Sequence, residues 1–119
     1  MDNIKTITDS TPKEEYARGE FLDLFENCPI PPSEILSNLG LFLNRQTLSR
    51  IFFMNDLYKK ILKSHGVIIE FGVRWGQNLS LFSSFRGMYE PYNYTRIIYG
   101  FDTFSGFPRV NAKDGGAVR

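Results

Sequence analysis

Residues 67 to 82 read VIIEFGVRWGQNLSLF, and the hydrophobic period changes once within them. Val67 to Phe71 is an apolar run broken only by Glu70, the pattern of a strand covered on both faces, as in a parallel sheet. From Gln77 the period is helical, with Leu79, Phe82, Phe85 and Tyr89 on one side. Gly72 and Gly76 separate the two. A second strand-like run, RIIYGFD at 96 to 102, again ends in an acid, after MYEPYNYT has turned the chain around. Strand, helix and strand predict one βαβ unit of the α/β class, with parallel strands and a right-handed crossover.

Helices are expected upstream. Residues 1 to 10 are polar and aperiodic, a loose tail. Thr11-Pro12-Lys13-Glu14 has the form of a capping box with Pro at the first helical position, so a short helix begins there. FENCPIPPS ends it, because its prolines cannot continue a helix. Ser33 is placed to cap a second helix, SEILSNLGLFLN, and a third follows from about Gln46 to Ser64. In the third, Leu48, Ile51, Met54, Tyr58, Ile61 and Leu62 share a face, Lys59, Lys60 and Lys63 suit the dipole of its last turns, and Gly66 is a natural stop. His65 reads as a helix-end residue, since the chain has no second His to share a metal.

Composition sets limits. A chain of 119 residues builds one modest core, and a 42% hydrophobic, 15% aromatic content is that of a globular protein. Fourteen Lys and Arg against thirteen Asp and Glu are scattered along the chain, which lacks the basic footprint of a nucleic-acid binder. Cys28 stands alone, which excludes an internal disulfide, reads as a small buried hydrophobe and fits a reducing cytoplasm. The N-terminus lacks the apolar core of a secretory signal, and no window approaches the roughly 18 apolar residues of a membrane span.

In an open parallel sheet, ligands bind beyond the carboxyl ends of the strands, and Glu70, Gly72, Gly76 and Asp102 all fall at that edge. Glycines let a ligand approach the main chain, and the next helix offers free N–H groups at its positive end. A dinucleotide fingerprint would read G-x-G-x-x-G, whereas this chain has E-x-G-x-x-x-G-x-N. A carboxylate there repels a diphosphate but welcomes an ammonium and a ribose. S-adenosylmethionine carries both and no phosphate. Asp102 is then expected to accept from the ribose hydroxyls, and Glu70 to hold the loop and face the methionine ammonium, directly or through water. The plainer alternative is that the glycines serve only the turn and the acids only cap it. Arg74 and Trp75 fit packing or contact with an adenine, and Tyr89, Tyr92, Tyr94 and Tyr99 are expected to fill buried faces.

The motifs EFGVRWGQN at 70 to 78 and GFDTFSGFP at 100 to 108, with NRQTLSRIFFMNDLYKKIL upstream, resemble the macrocin O-methyltransferase (TylF-like) family of class I methyltransferases. The likeness covers roughly residues 44 to 108. It implies a Rossmann-like parallel sheet, here only the first βαβ unit, with S-adenosylmethionine as methyl donor and an acceptor hydroxyl, often on a sugar. By motif position Glu70, Gly72, Gly76, Asp102 and Thr103 are implied to bind the cofactor. The chain departs from many relatives in having Arg74 before Trp75, and the long interval from Glu70 to Asp102 suggests an insertion at MYEPYNYT.

The expected organisation is a tail and short helix at 1–32, a helical lead-in and first βαβ unit at 33–108, and a flexible or truncated end at 109–119. The expected function is the N-terminal portion of an S-adenosylmethionine-dependent O-methyltransferase acting on a small molecule. The catalytic base and any Mg²⁺ ligands are assigned to residues outside this chain. A non-catalytic nucleotide-binding or assembly fragment, completed by another chain or by a second copy, is the alternative, and a nicotinamide-binding protein the third reading.

Overall fold

The computed structural model describes residues 10 to 105, so the expected tail and the end at 109–119 lie outside the described residues. The chain divides into two compact units, one described over residues 10 to 42 and the other Leu43–Gly106.

In the first unit the capping box forms: the Thr11 hydroxyl accepts from the Glu14 N–H at 3.3 Å, and the Glu14 carboxylate accepts from the Thr11 N–H at 2.8 Å. Helix α1 spans Pro12–Glu26 and closes at Asn27, whose side-chain amide donates to the Asp23 carbonyl at 2.9 Å. Cys28, just beyond, is half-buried rather than buried. The single helix expected from Ser33 does not form. A one-turn helix α2 spans Pro32–Ile35 with Pro31 at the capping position, and a 3₁₀ turn follows at Leu39–Phe42. Asn38 explains the break. Its side chain donates to the Glu34 carbonyl at 2.7 Å, the acceptor that an α-helical Asn38 N–H would need, and that N–H turns instead to Ile35 at 2.9 Å. The rings of Phe25 and Phe42 meet edge to face at 5.1 Å.

The second unit opens with helix α3, Arg45–Lys60, capped by Asn44, whose side-chain oxygen accepts from the Thr47 N–H at 2.7 Å. Strand β1 is Ile68–Phe71, helix α4 Gln77–Tyr89 and strand β2 Ile98–Phe101. The strands pair in parallel with Ile68 opposite Ile98 and Glu70 opposite Gly100, so the predicted βαβ unit forms. Its core lies between α3 and α4, where Met54, Tyr58 and Phe85 are buried and Ile61, Leu62, Ile68, Leu81, Phe82 and Tyr89 pack against them. Tyr58 is the hub: its ring stands 5.9 to 6.2 Å from those of Phe82, Phe85 and Tyr89, the spacing at which aromatic edges and faces attract.

Helix α3 ends earlier than the expected Ser64, because residues 61 to 64 tighten into i to i−3 turns. Carbonyls of this segment turn to Arg96, whose guanidinium donates to Ile61 at 2.9 Å, Ser64 at 2.7 Å and Gly66 at 3.0 Å. Arg96 is therefore not the start of the second strand but a buried side chain, 3% exposed, paired with Glu90 at 3.1 Å. Tyr58 donates to the same carboxylate at 2.5 Å, and Asn93 donates to its other oxygen at 3.1 Å. These bonds hold the Glu90 carboxyl down at about 2, the Arg96 bond first among them, while burial and the Glu90 carboxylate push the Tyr58 phenol up to about 12.

Two further expectations are corrected. Among the described residues the sheet is covered on one face only: Ile69, Phe71, Tyr99 and Phe101 share the other face and are exposed, with Phe71 and Phe101 stacked at 5.6 Å. Tyr92 and Tyr94 are not buried fillers but lie exposed in the turn after α4, with the Arg86 guanidinium 6.0 Å from the Tyr94 ring centre.

Candidate functional site

The loop from β1 to α4 is built from backbone conformations that side chains disfavour. Gly72 sits at φ +77° and donates its N–H to the Phe101 carbonyl at 2.8 Å, tying the loop to the end of β2. Arg74 sits at +54°, and Gly76 at +87° caps α4 without any side-chain bond to the first turn. The positive end of the helix dipole and the first-turn N–H groups are thus left to face whatever lies before them.

Asp102 supports this loop from behind. Its carboxylate accepts from the Arg74 N–H at 2.9 Å and from the Phe104 N–H at 3.1 Å, and these bonds hold its carboxyl below the usual carboxylate range. Gly100 clears the space for it: a Cβ there would meet Val73 at 2.8 Å and run into Leu79. The sequence reading did not single out Gly100, because the need for it arises from a side chain on α4 and another in the loop.

On the outer side of the loop lies a cavity of about 410 Å³, lined by Arg50, Glu70, Gly72, Val73, Arg74, Trp75, Gln77 and Asn78. This lies in the usual range for small-ligand sites, roughly 300–1,000 Å³. Glu70 is half-buried, and its carboxylate makes no hydrogen bond or ion pair to any described residue. Arg50 reaches in from α3, where its Nη2 donates to Asn78 Oδ1 at 3.4 Å. Of the predicted residues, Glu70 and Gly72 line the cavity, Gly76 sits beside it as the cap of α4, and Asp102 lies outside its lining. Thr103 is exposed next to Asp102, its hydroxyl accepting from the Ser105 N–H at 3.4 Å.

Sequence reasoning missed Arg50, which lies off the apolar stripe of α3. Asn78 was visible as the last position of the E-x-G-x-x-x-G-x-N pattern. A larger hollow of about 750 Å³ lies within the first unit, walled by Phe21, Leu24, Leu41 and Phe42. Its charged groups are both acids, Glu20 and Asp23, and no positive-φ backbone borders it, so it offers less to a polar ligand. Among the described residues no His, Cys, Asp and Glu cluster could hold a metal, and no helix is long and apolar enough to cross a membrane.

No protein-family profile matches the chain, and no curated protein does. Solved structures do, two of CalS11 among them. The crystal structure of CalS11, a calicheamicin methyltransferase, is 41% identical over 99% of this chain and 48% of its own, with a TM-score of 0.84. An apo structure of CalS11, described as a TDP-rhamnose 3'-O-methyltransferase of calicheamicin biosynthesis, is 44% identical over 82% of this chain and 42% of its own, with a TM-score of 0.77. The chain thus spans about half the length of the structures it matches. A Rossmann-like βαβ unit, an acid and two left-handed glycines at the strand edge, and more than 40% identity point the same way: the chain has the Rossmann-like fold of the methyltransferases and is similar to about half of an O-methyltransferase.

Proposed function

We propose that the chain supplies the S-adenosylmethionine-binding part of an O-methyltransferase acting on a hydroxyl of a sugar or another small natural product. The observation that carries this reading is the unpaired Glu70 carboxylate lining the cavity beside the left-handed glycine loop. The sugar follows from the similarity to an enzyme described as a TDP-rhamnose 3'-O-methyltransferase. The residues fit the cofactor: Glu70 is placed for an ammonium, Gly72 leaves room above the main chain, and the uncapped start of α4 suits a polar group. Both Asp102 oxygens accept backbone N–H groups, which keeps the loop in place, and we read Asp102, with Thr103 beside it, as the acceptor for the ribose hydroxyls.

When bound, S-adenosylmethionine supplies a methyl group activated by its sulfonium. The chain's own residues bind and orient, and correct positioning alone supplies a large share of such a rate. The base that takes the acceptor's proton, and Mg²⁺ where the reaction uses it, are assigned to residues beyond this chain. The single cysteine suits a cytoplasmic setting.

Calorimetry with S-adenosylhomocysteine tests the reading in the protein that carries this sequence. Binding is expected, with Glu70→Gln weakening it roughly tenfold to a hundredfold and Asp102→Ala weakening it as well. No binding, or binding untouched by Asp102→Ala, overturns the reading, and competition by NADH would favour a nicotinamide site. A second reading, an assembly module completed by another chain or copy, draws on the bare sheet face of Ile69, Phe71, Tyr99 and Phe101. Light scattering that finds a stable monomer would end it.

A further inference from the structure

The cavity beside the glycine loop holds opposite charges that do not neutralise each other. Glu70 at the end of β1 and Arg50 on α3 both line it, yet among the described residues the two form no ion pair. Two opposite charges held apart on one small cavity complement a zwitterion, and an α-amino acid end is the simplest one: ammonium toward the carboxylate, carboxylate toward the guanidinium. Arg74 also lines the cavity, but the two arginines are not equivalent. Arg50 projects from a sixteen-residue helix capped by Asn44, and its guanidinium is tethered to Asn78 in the first turn of α4. Arg74 sits on the loop, and its contact to described residues is through its backbone N–H, to Asp102. A planar guanidinium with a fixed tether retains less freedom to lose on binding a carboxylate, and it can present two N–H groups to the two oxygens.

We infer that Arg50, positioned by Asn78, is the carboxylate-recognising residue of the site and makes it selective for adenosyl compounds that carry an intact amino acid end. The inference rests on the cofactor reading above and adds to it a specificity determinant. Arg50 takes no part in bond making; it fixes the far end of the ligand. The site therefore discriminates S-adenosylhomocysteine from its decarboxylated analogue, which keeps the adenosine, the thioether and the ammonium.

The test compares three ligands by calorimetry, S-adenosylhomocysteine, its decarboxylated analogue and 5′-methylthioadenosine, on the wild type, Arg50→Met, Arg50→Lys and Arg74→Met. The wild type is expected to prefer S-adenosylhomocysteine over the decarboxylated compound roughly tenfold to a hundredfold. Arg50→Met should abolish that preference while 5′-methylthioadenosine binds as before, Arg50→Lys should restore part of it, and Arg74→Met should retain it. Equal loss of all three ligands in Arg50→Met, or an unchanged preference, overturns the inference, as does loss of the preference in Arg74→Met instead. If none of the three binds the wild type, it is the cofactor reading that has failed. Arg50 is exposed and outside the core, so unfolding midpoints of the variants should match the wild type and keep the comparison clean.

Discussion

Gly100 has no side chain because two neighbours already occupy the space one would need. With Val73 2.8 Å from where a Cβ would stand and Leu79 closer still, Gly100→Ala forces the loop or α4 away from β2. The expected cost is about 1–3 kcal/mol, the usual range for overpacking a tight site, and thermal unfolding should show it as a lower midpoint. A melting temperature equal to the wild type would mean that both side chains yield freely. The acids at the strand tips were legible in the sequence as acids, but not what each would touch. Glu70 is left facing a cavity, while Asp102 is engaged by the main chain of the very loop it was expected to work beside. That difference depends on where the Arg74 N–H comes to rest, 28 residues away, and no local pattern encodes it.

At the scale of elements, the end of α3 is held by the turn that precedes β2. Glu90, Arg96 and Tyr58 form one buried hydrogen-bonded group, and Arg96 also takes up carbonyls of the segment between α3 and β1. Glu90→Gln leaves a buried guanidinium without its counter-charge, which should destabilise the unit by roughly 3–5 kcal/mol in urea unfolding. A double variant with Glu90→Leu and Arg96→Met should recover much of that loss, since it removes both charges together. The pH dependence follows from the same group. Glu90 titrates at about 2 in the fold against 4.5 when free, so its contribution is complete above pH 4.5 and is lost as pH falls toward 2. The Tyr58 phenol is raised from 10.0 to about 12, so its contribution is complete below pH 10 and is lost as pH rises toward 12. Unfolding free energy measured across pH should therefore show a fall on each side of that window, and Glu90→Gln should shrink the acidic one to the part that the other lowered carboxyls, Asp102 among them, contribute. The sequence showed MYEPYNYT only as a turn; its role as the clamp of a helix end comes from Arg96 contacts 30 to 35 residues away.

At the scale of the whole molecule, the two-stranded sheet has one covered face and one bare one. α4 lies over Ile98 and Gly100, and Phe71 on the other face is 78% exposed. An exposed apolar face of this kind favours association. The 119-residue chain by itself should scatter light increasingly with concentration and bind an apolar-surface dye, and Phe71→Lys should lower both. Wild-type chain that stays monomeric and silent to the dye would show that the face is not adhesive. The run VIIEF predicted a strand covered on both sides, and the fold answers this expectation differently: periodicity reports which residues avoid water, not which element arrives to cover them. What the sequence determined by itself were the local choices, namely a strand, a left-handed glycine turn and a helix, repeated acids at strand ends and the Thr11 and Glu14 cap, because each depends on residues within one turn or one pleat of each other. The tertiary structure decided the contacts across distance: Arg50 in the cavity with Glu70, Asp102 on the Arg74 main chain, and Arg96 buried at the end of α3. These partners meet only after the elements have packed, and packing depends on the shape of the whole unit rather than on any segment of it.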